Sequence, residues 1–148
     1  MISNKSWLTC LVLLGTVIAV AAQKPTGTQR FAGTWNAKFQ GNTFTTLKLS
    51  VRDNQLTGSM TGANINMDKE GNLTSAQETD DEGQIRDVKL TGDTLLFTTK
   101  NEDTGEAINW KMRLTNEHEG ELLLVVPEPH VGIPTPRPWK ITRQIPHP

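Results

Sequence analysis

The sequence predicts an all-β protein: an antiparallel up-and-down β-barrel of about eight or nine strands, with a β-sandwich as the alternative. Three observations carry this. Beyond residue 30 the hydrophobic period is two rather than 3.6, so alternate side chains share a face. Short apolar runs recur at roughly ten-residue spacing, separated by the Gly, Asn and Asp residues that tolerate tight turns. No segment longer than about ten residues carries a helical period. A meander of this kind hides its unpaired edges best by closing on itself.

The first 22 of the 148 residues stand apart. Lys5 is followed by an apolar run from Trp7 to Ala22, interrupted only by Thr9, Gly15 and Thr16, and Ala19-Val20-Ala21-Ala22 offers small residues for cleavage. Residues 1–22 therefore read as a secretory signal peptide, and the protein is expected to be secreted or periplasmic. The apolar run is shorter than the roughly twenty residues of a membrane span. The single cysteine, Cys10, lies within it. The rest of the chain then has no disulfide, thiol nucleophile or thiolate ligand.

Residues 23–30 are polar, with Pro25 and Gly27, and read as a flexible leader. The barrel domain is expected over 31–145. Trp35, Ala37 and Phe39 alternate with polar neighbours, as do Leu47, Leu49 and Val51. Asp53-Asn54 turns the chain into a strand from Gln55 to Met60. Ile65 and Met67 mark a further short strand, Gly71-Asn72 a turn, and Leu73 to Glu78 a weaker strand. Gln84 to Leu90 follows, with Arg86, Val88 and Leu90 on one face. Gly92-Asp93 leads into Thr94 to Lys100. The clearest alternation is Ile108, Trp110, Met112 and Leu114 against Asn109, Lys111, Arg113 and Thr115. Glu121 to Val126 is apolar on both faces, which suggests a covered strand. All prolines but Pro25 lie from Pro127 onward, so 127–138 is expected to be an extended, irregular connection. It is either a rigid lace over the barrel mouth or a polyproline ligand. Trp139 to Arg143 closes the barrel, and residues 146–148 form a tail.

The formal net charge is −1 with the signs interspersed. The chain lacks the basic patch that nucleic acid or an anionic membrane requires. Glu78 to Glu82, with Asp80 and Asp81 between, is the densest acidic run and reads as a solvated loop. His118 lies among carboxylates in Glu117-His118-Glu119, but neighbours in a turn do not converge on a metal unaided. His130 and His147 pair with nothing by spacing, and no serine sits in a nucleophile motif. No cofactor, metal site or catalytic residue is assigned. Asn72-Leu73-Thr74 is a glycosylation sequon. Phe39, Met60, Phe97, Trp110, Met112 and Trp139 are the candidate lining of an apolar lumen. The same residues also suit a side-chain-filled core, since an eight-stranded barrel is just wide enough for either.

Gly33-Thr34-Trp35 opens the first strand with Gly-x-Trp. With Leu56-Thr57-Gly58-Ser59-Met60 and Trp139-Lys140-Ile141-Thr142-Arg143, it resembles small secreted bacterial barrels of the calycin, or lipocalin-like, group. The resemblance implies that Trp35 packs across the closed end of the barrel and that Arg143 covers it. Strand direction agrees with this. In a closed barrel with an even number of strands the first and last pair antiparallel, which sets Trp35 beside Arg143. The chain is also superficially similar to the avidin family, but it has no tyrosine where that family binds its ligand's ureido group. The expected function is non-catalytic binding of a small apolar ligand. The alternatives are a protein-interaction or structural module with a filled barrel and, more remotely, an enzyme on a barrel scaffold.

Overall fold

The computed structural model describes residues 27–101, 103–127 and 134–145; the expected signal peptide, residues 128–133 of the Pro-rich connection with His130, and the expected tail with His147 lie outside them. Nine strands form one antiparallel sheet: β1 (Gly33–Phe39), β2 (Asn42–Arg52), β3 (Gln55–Met67), β4 (Leu73–Gln84), β5 (Arg86–Thr91), β6 (Thr94–Lys100), β7 (Ala107–Leu114), β8 (Glu119–Val125) and β9 (Trp139–Arg143). Their order is β4-β3-β2-β1-β9-β8-β7-β6-β5. The described residues are all-β apart from a 3-10 turn at Gly27–Phe31. Among the described residues no helix is long and apolar enough to cross a membrane.

The sheet is not closed by a ladder: β4 and β5 are its two edges, although only Ile85 separates them in the chain. Every neighbouring pair is antiparallel, including β1 with β9. Counting direction outward from β1 on each side, β4 and β5 run the same way. They are one course of chain that leaves β3 and joins β6. Ile85 is buried and donates its N–H to Gly58 O at 2.9 Å, so the change of partner occurs there. Nine strands therefore reverse direction as eight would, and Trp35 is the register partner of Arg143.

The inward rows follow the period of two. Trp35 and Ala37 on β1, Leu47 and Leu49 on β2, Leu95 and Phe97 on β6, Trp110, Met112 and Leu114 on β7, and Trp139 and Ile141 on β9 are all buried. Phe44 and Trp139 meet edge to face at 5.3 Å across β1, and Trp110 meets Trp139 at 5.9 Å across β8. Gly58 is required where β2 and β3 close up, because a Cβ there would lie 2.0 Å from Lys48 O.

Several segments differ from the sequence reading. The acidic run is not a loop: Glu78 and Glu82 pair with Ala63 and Thr61 within β4. An edge strand satisfies one row of backbone groups on its neighbour and keeps its charges in water, so polar composition does not exclude it. Ile65 and Met67 belong to one long β3, which absorbs a register shift between Thr61 and Ala63 instead of turning. Arg86 does not share a face with Val88 and Leu90. The β5 register shifts between Arg86 and Lys89, Asp87 takes φ 51°, and Arg86 is exposed. Strand β8 is covered on its inner side only: Leu122 is buried, whereas Val125 is 37 % exposed. Residues 27–30 of the expected leader form the 3-10 turn, held by an Arg30–Asp93 ion pair.

Candidate functional site

One end of the sheet's interior is shut. Phe31 and Trp35 are wholly buried there, and the Trp35 indole Nε1 donates to Phe31 O at 2.8 Å. Arg143 places its guanidinium carbon 4.5 Å from the centroid of the Trp35 ring and donates to Arg30 O. Burial lowers the Arg143 pKa from its ordinary value and nearby Glu117 opposes that; an arginine stays charged regardless. Gly33 takes φ +131°, a backbone region that favours glycine, which accounts for the Gly of Gly-x-Trp.

The opposite end is not filled. A cavity of about 340 Å³ lies where the ladder is open, between the β3–β4 hairpin on one side and β6–β7 on the other. Its floor is Met60, Trp110 and Trp139, and Ala63, Ile65, Ile108 and Leu124 supply apolar wall. The Trp110 indole is fixed by donating to Thr99 Oγ1 at 2.9 Å. The Thr45 hydroxyl is committed to Thr61 O at 2.9 Å. The rim is polar: Asn64, Thr79 and Asp81 face Lys100, Asn101 and Asp103. Asn101 Oδ1 accepts the N–H groups of Asp103 at 2.9 Å and Thr104 at 3.1 Å, which shapes the turn carrying Asp103.

Of the six expected lumen residues, the structure brings Met60, Trp110 and Trp139 together at this cavity. Met112 and Phe97, at 0 % and 2 % exposed, lie in solid core, and Phe39 is half-buried against the core away from the lining. The period of two shows which side of a strand a residue takes but not its height along the curled sheet, which depends on register. Thr79, Asp81, Lys100 and Asp103 escaped sequence reasoning. They come from two segments far apart in the chain, and only the curl of the sheet sets them across one opening.

The Pro-rich connection reaches this end. Arg137 donates its N–H to Gly71 O at 3.0 Å and its Nε to Glu70 O at 3.1 Å, and Pro136 is buried. The segment 134–138 thus ties the β3–β4 turn to the start of β9. Gly71 is wholly enclosed by this contact: a Cβ there would lie 1.9 Å from Thr135 O.

On the outer face a second, more open hollow of about 470 Å³ is bordered by Lys48, Ser50, Arg52 and Ser59. Lys48 there is already paired with Glu82 at 3.0 Å, and the hollow lacks an aromatic floor. His118 is exposed at the β7–β8 turn, and no group of three or more metal-ligating side chains occurs among the described residues.

No family model, no curated protein and no solved structure matches this chain.

Proposed function

We propose that this is an exported, non-catalytic binding protein of lipocalin-like character that holds a small ligand in the cavity beside β3–β4. The observation that carries this reading is the cavity itself, about 340 Å³ over Met60, Trp110 and Trp139. That volume lies at the lower end of the roughly 300–1,000 Å³ of small-molecule sites. Tryptophan and methionine supply adaptable, polarisable surface. The polar rim adds to the expectation of an apolar ligand: an apolar body suits the floor, and a polar group suits the mouth. The filled-barrel alternative accounts for the Trp35 end, where side chains occupy the interior, and leaves the cavity at the other end without a role.

The test is titration of the exported protein with the neutral dye Nile red, read by dye emission and by tryptophan fluorescence. Saturable binding lost in Ala63→Trp, which fills the cavity from its wall, supports the reading. Binding that is absent, or unaffected by Ala63→Trp in a variant with native circular dichroism, overturns it.

A further inference from the structure

We propose that the β3–β4 ribbon over residues 62–81 is a flap that gates the cavity, turning at Gly62 and latched at its tip by the strap 134–138. This rests on the cavity being a ligand site, and it names how that site opens.

The ribbon stands apart from the rest of the sheet. Strand β3 pairs with β2 only as far as Met60, opposite Leu47. Beyond that point β3 pairs with β4 alone, and β4 is an edge. A two-stranded hairpin is at best marginally stable in water by itself, so contacts at its root and tip fix where it lies. Of the apolar wall, Ile108 and Leu124 sit on strands paired within the sheet, whereas Ala63 and Ile65 sit on the ribbon. Ala63 and Ile65 pack on the core with Leu73 and Ala76, all only partly buried, which favours the shut position. The floor behind them shows little surface: Met60, Trp110 and Trp139 are 5 %, 9 % and 7 % exposed. An apolar ligand must reach that floor, and the ribbon is the part of the wall that the sheet does not hold.

The root is built to bend. Thr61 pairs with Glu82 and Ala63 with Glu78, so Thr79, Asp80 and Asp81 stand against Gly62 alone. Such an irregularity breaks the ladder and bends the strand that carries it. Gly62 lets the strands close up there, since a Cβ would lie 2.4 Å from Thr79 Oγ1. Below the break, Thr61 is tied to β2. Thr45 Oγ1 donates to Thr61 O at 2.9 Å, and the Thr46 N–H donates to Thr61 Oγ1 at 2.8 Å. The exposed Glu78 carboxylate bridges the break by accepting from the Thr46 and Thr61 hydroxyls at 3.2 and 2.7 Å.

The tip is a fixed catch. Asp68 accepts from the N–H groups of Glu70 at 3.0 Å and Asn72 at 2.8 Å, and from Asn72 Nδ2 at 2.9 Å, which sets the turn. Arg137 holds that turn through its N–H to Gly71 O and its Nε to Glu70 O. Pro134, Pro136 and Pro138 fix φ along the strap, so it is stiff where it meets the turn. The strap then runs directly into Trp139 of the floor.

The experiment is stopped-flow binding of Nile red to protein exported from the full chain, with two variants of native circular dichroism. Arg137→Ala removes the Nε bond of the latch. Losing it destabilises the shut state with and without dye, so association and dissociation should both quicken by about fivefold, the size of one net hydrogen bond, while Kd changes little. The second variant, Glu70→Cys with Arg137→Cys, is joined by a bis-maleimide with a disulfide in its arm. Joining the tip to the strap should slow both rates or abolish binding, and reduction of the arm should restore them. Rates that stay the same in Arg137→Ala and on cross-linking overturn the flap and leave the cavity reading standing. A faster dissociation alone means a wall and not a gate, and overturns it equally. If Nile red does not bind the unmodified protein, the cavity reading and the flap fall together.

Discussion

Arg143 shows how much one residue can join. Its side chain stacks on Trp35 and donates to Arg30 O, and its backbone N–H donates to His118 O at 2.8 Å, so it links the first strand, the 3-10 turn and the β7–β8 turn. Arg143→Ala is expected to lose about 0.5–2 kcal/mol of stability through the cation–π contact. A lower midpoint in urea, with a changed near-ultraviolet signal from Trp35, checks this; an unchanged midpoint removes the stacked pair from the account of the closed end. Gly71 is the counterpart at the other end. It has φ +81° and no room for a Cβ, so Gly71→Ala is expected to cost more than about 1 kcal/mol and to release 134–138 from the β3–β4 turn. Faster proteolysis within 134–138 in that variant is the measurement. Trp35 and Arg143 were expected as a pair from the Gly-x-Trp resemblance, with strand direction in agreement; their register, Trp35 opposite Arg143, is set by the structure. Gly71 was legible only as a turn, since its neighbour Thr135 is distant in sequence.

At the scale of elements, β4 is the instructive case. Its side chains are mostly polar and exposed, and its place in the sheet depends on what β3 and β2 offer it. Glu82 accepts from Ser59 Oγ at 2.5 Å and from Lys48 Nζ at 3.0 Å, and the Ser59 bond followed by Lys48 lowers its pKa. Glu119 is lowered likewise, first by Lys140 and then by Asn116. A carboxylate whose pKa is depressed by folding binds fewer protons folded than unfolded. Its stabilisation is present above its ordinary value of 4.5 and fades as the pH falls toward the lower folded value. Acidification below about pH 4.5 is therefore expected to loosen the β3–β4 hairpin. Ser59→Ala should reduce that pH dependence, because it removes the first cause of the Glu82 shift. Urea midpoints across pH 3 to 6 for both proteins decide it.

For the molecule as a whole, the ladder has a centre and two edges. Strands β1, β9 and β8 are paired on both sides, whereas β4 and β5 each have a single partner. Amide exchange is expected to be slowest in Ala37, Leu122 and Ile141 and fastest along β4 and β5, because outward N–H groups of an edge strand face water. Uniform protection across all nine strands would mean that the edges pair in solution and that the opening beside β4 is shut. The same measurement bears on function, since that opening forms the cavity wall.

The all-β class, the turns at Asp53-Asn54 and Gly92-Asp93, and the inward positions of Trp35 and Ala37 on β1, Leu47 and Leu49 on β2, and Trp110, Met112 and Leu114 on β7 were determined by the sequence itself, because a half-buried strand must alternate and a tight turn needs residues that tolerate its dihedrals. Tertiary structure alone decided that Glu78 to Glu82 is a strand, that Ile85 carries the chain from β3 to β6, and that Asp81 and Asp103 line one cavity. The physical reason is that alternation and turn chemistry are local. Register, bulges and the partner of an edge strand are settled by contacts between segments far apart in the chain, and composition carries no record of which segments meet.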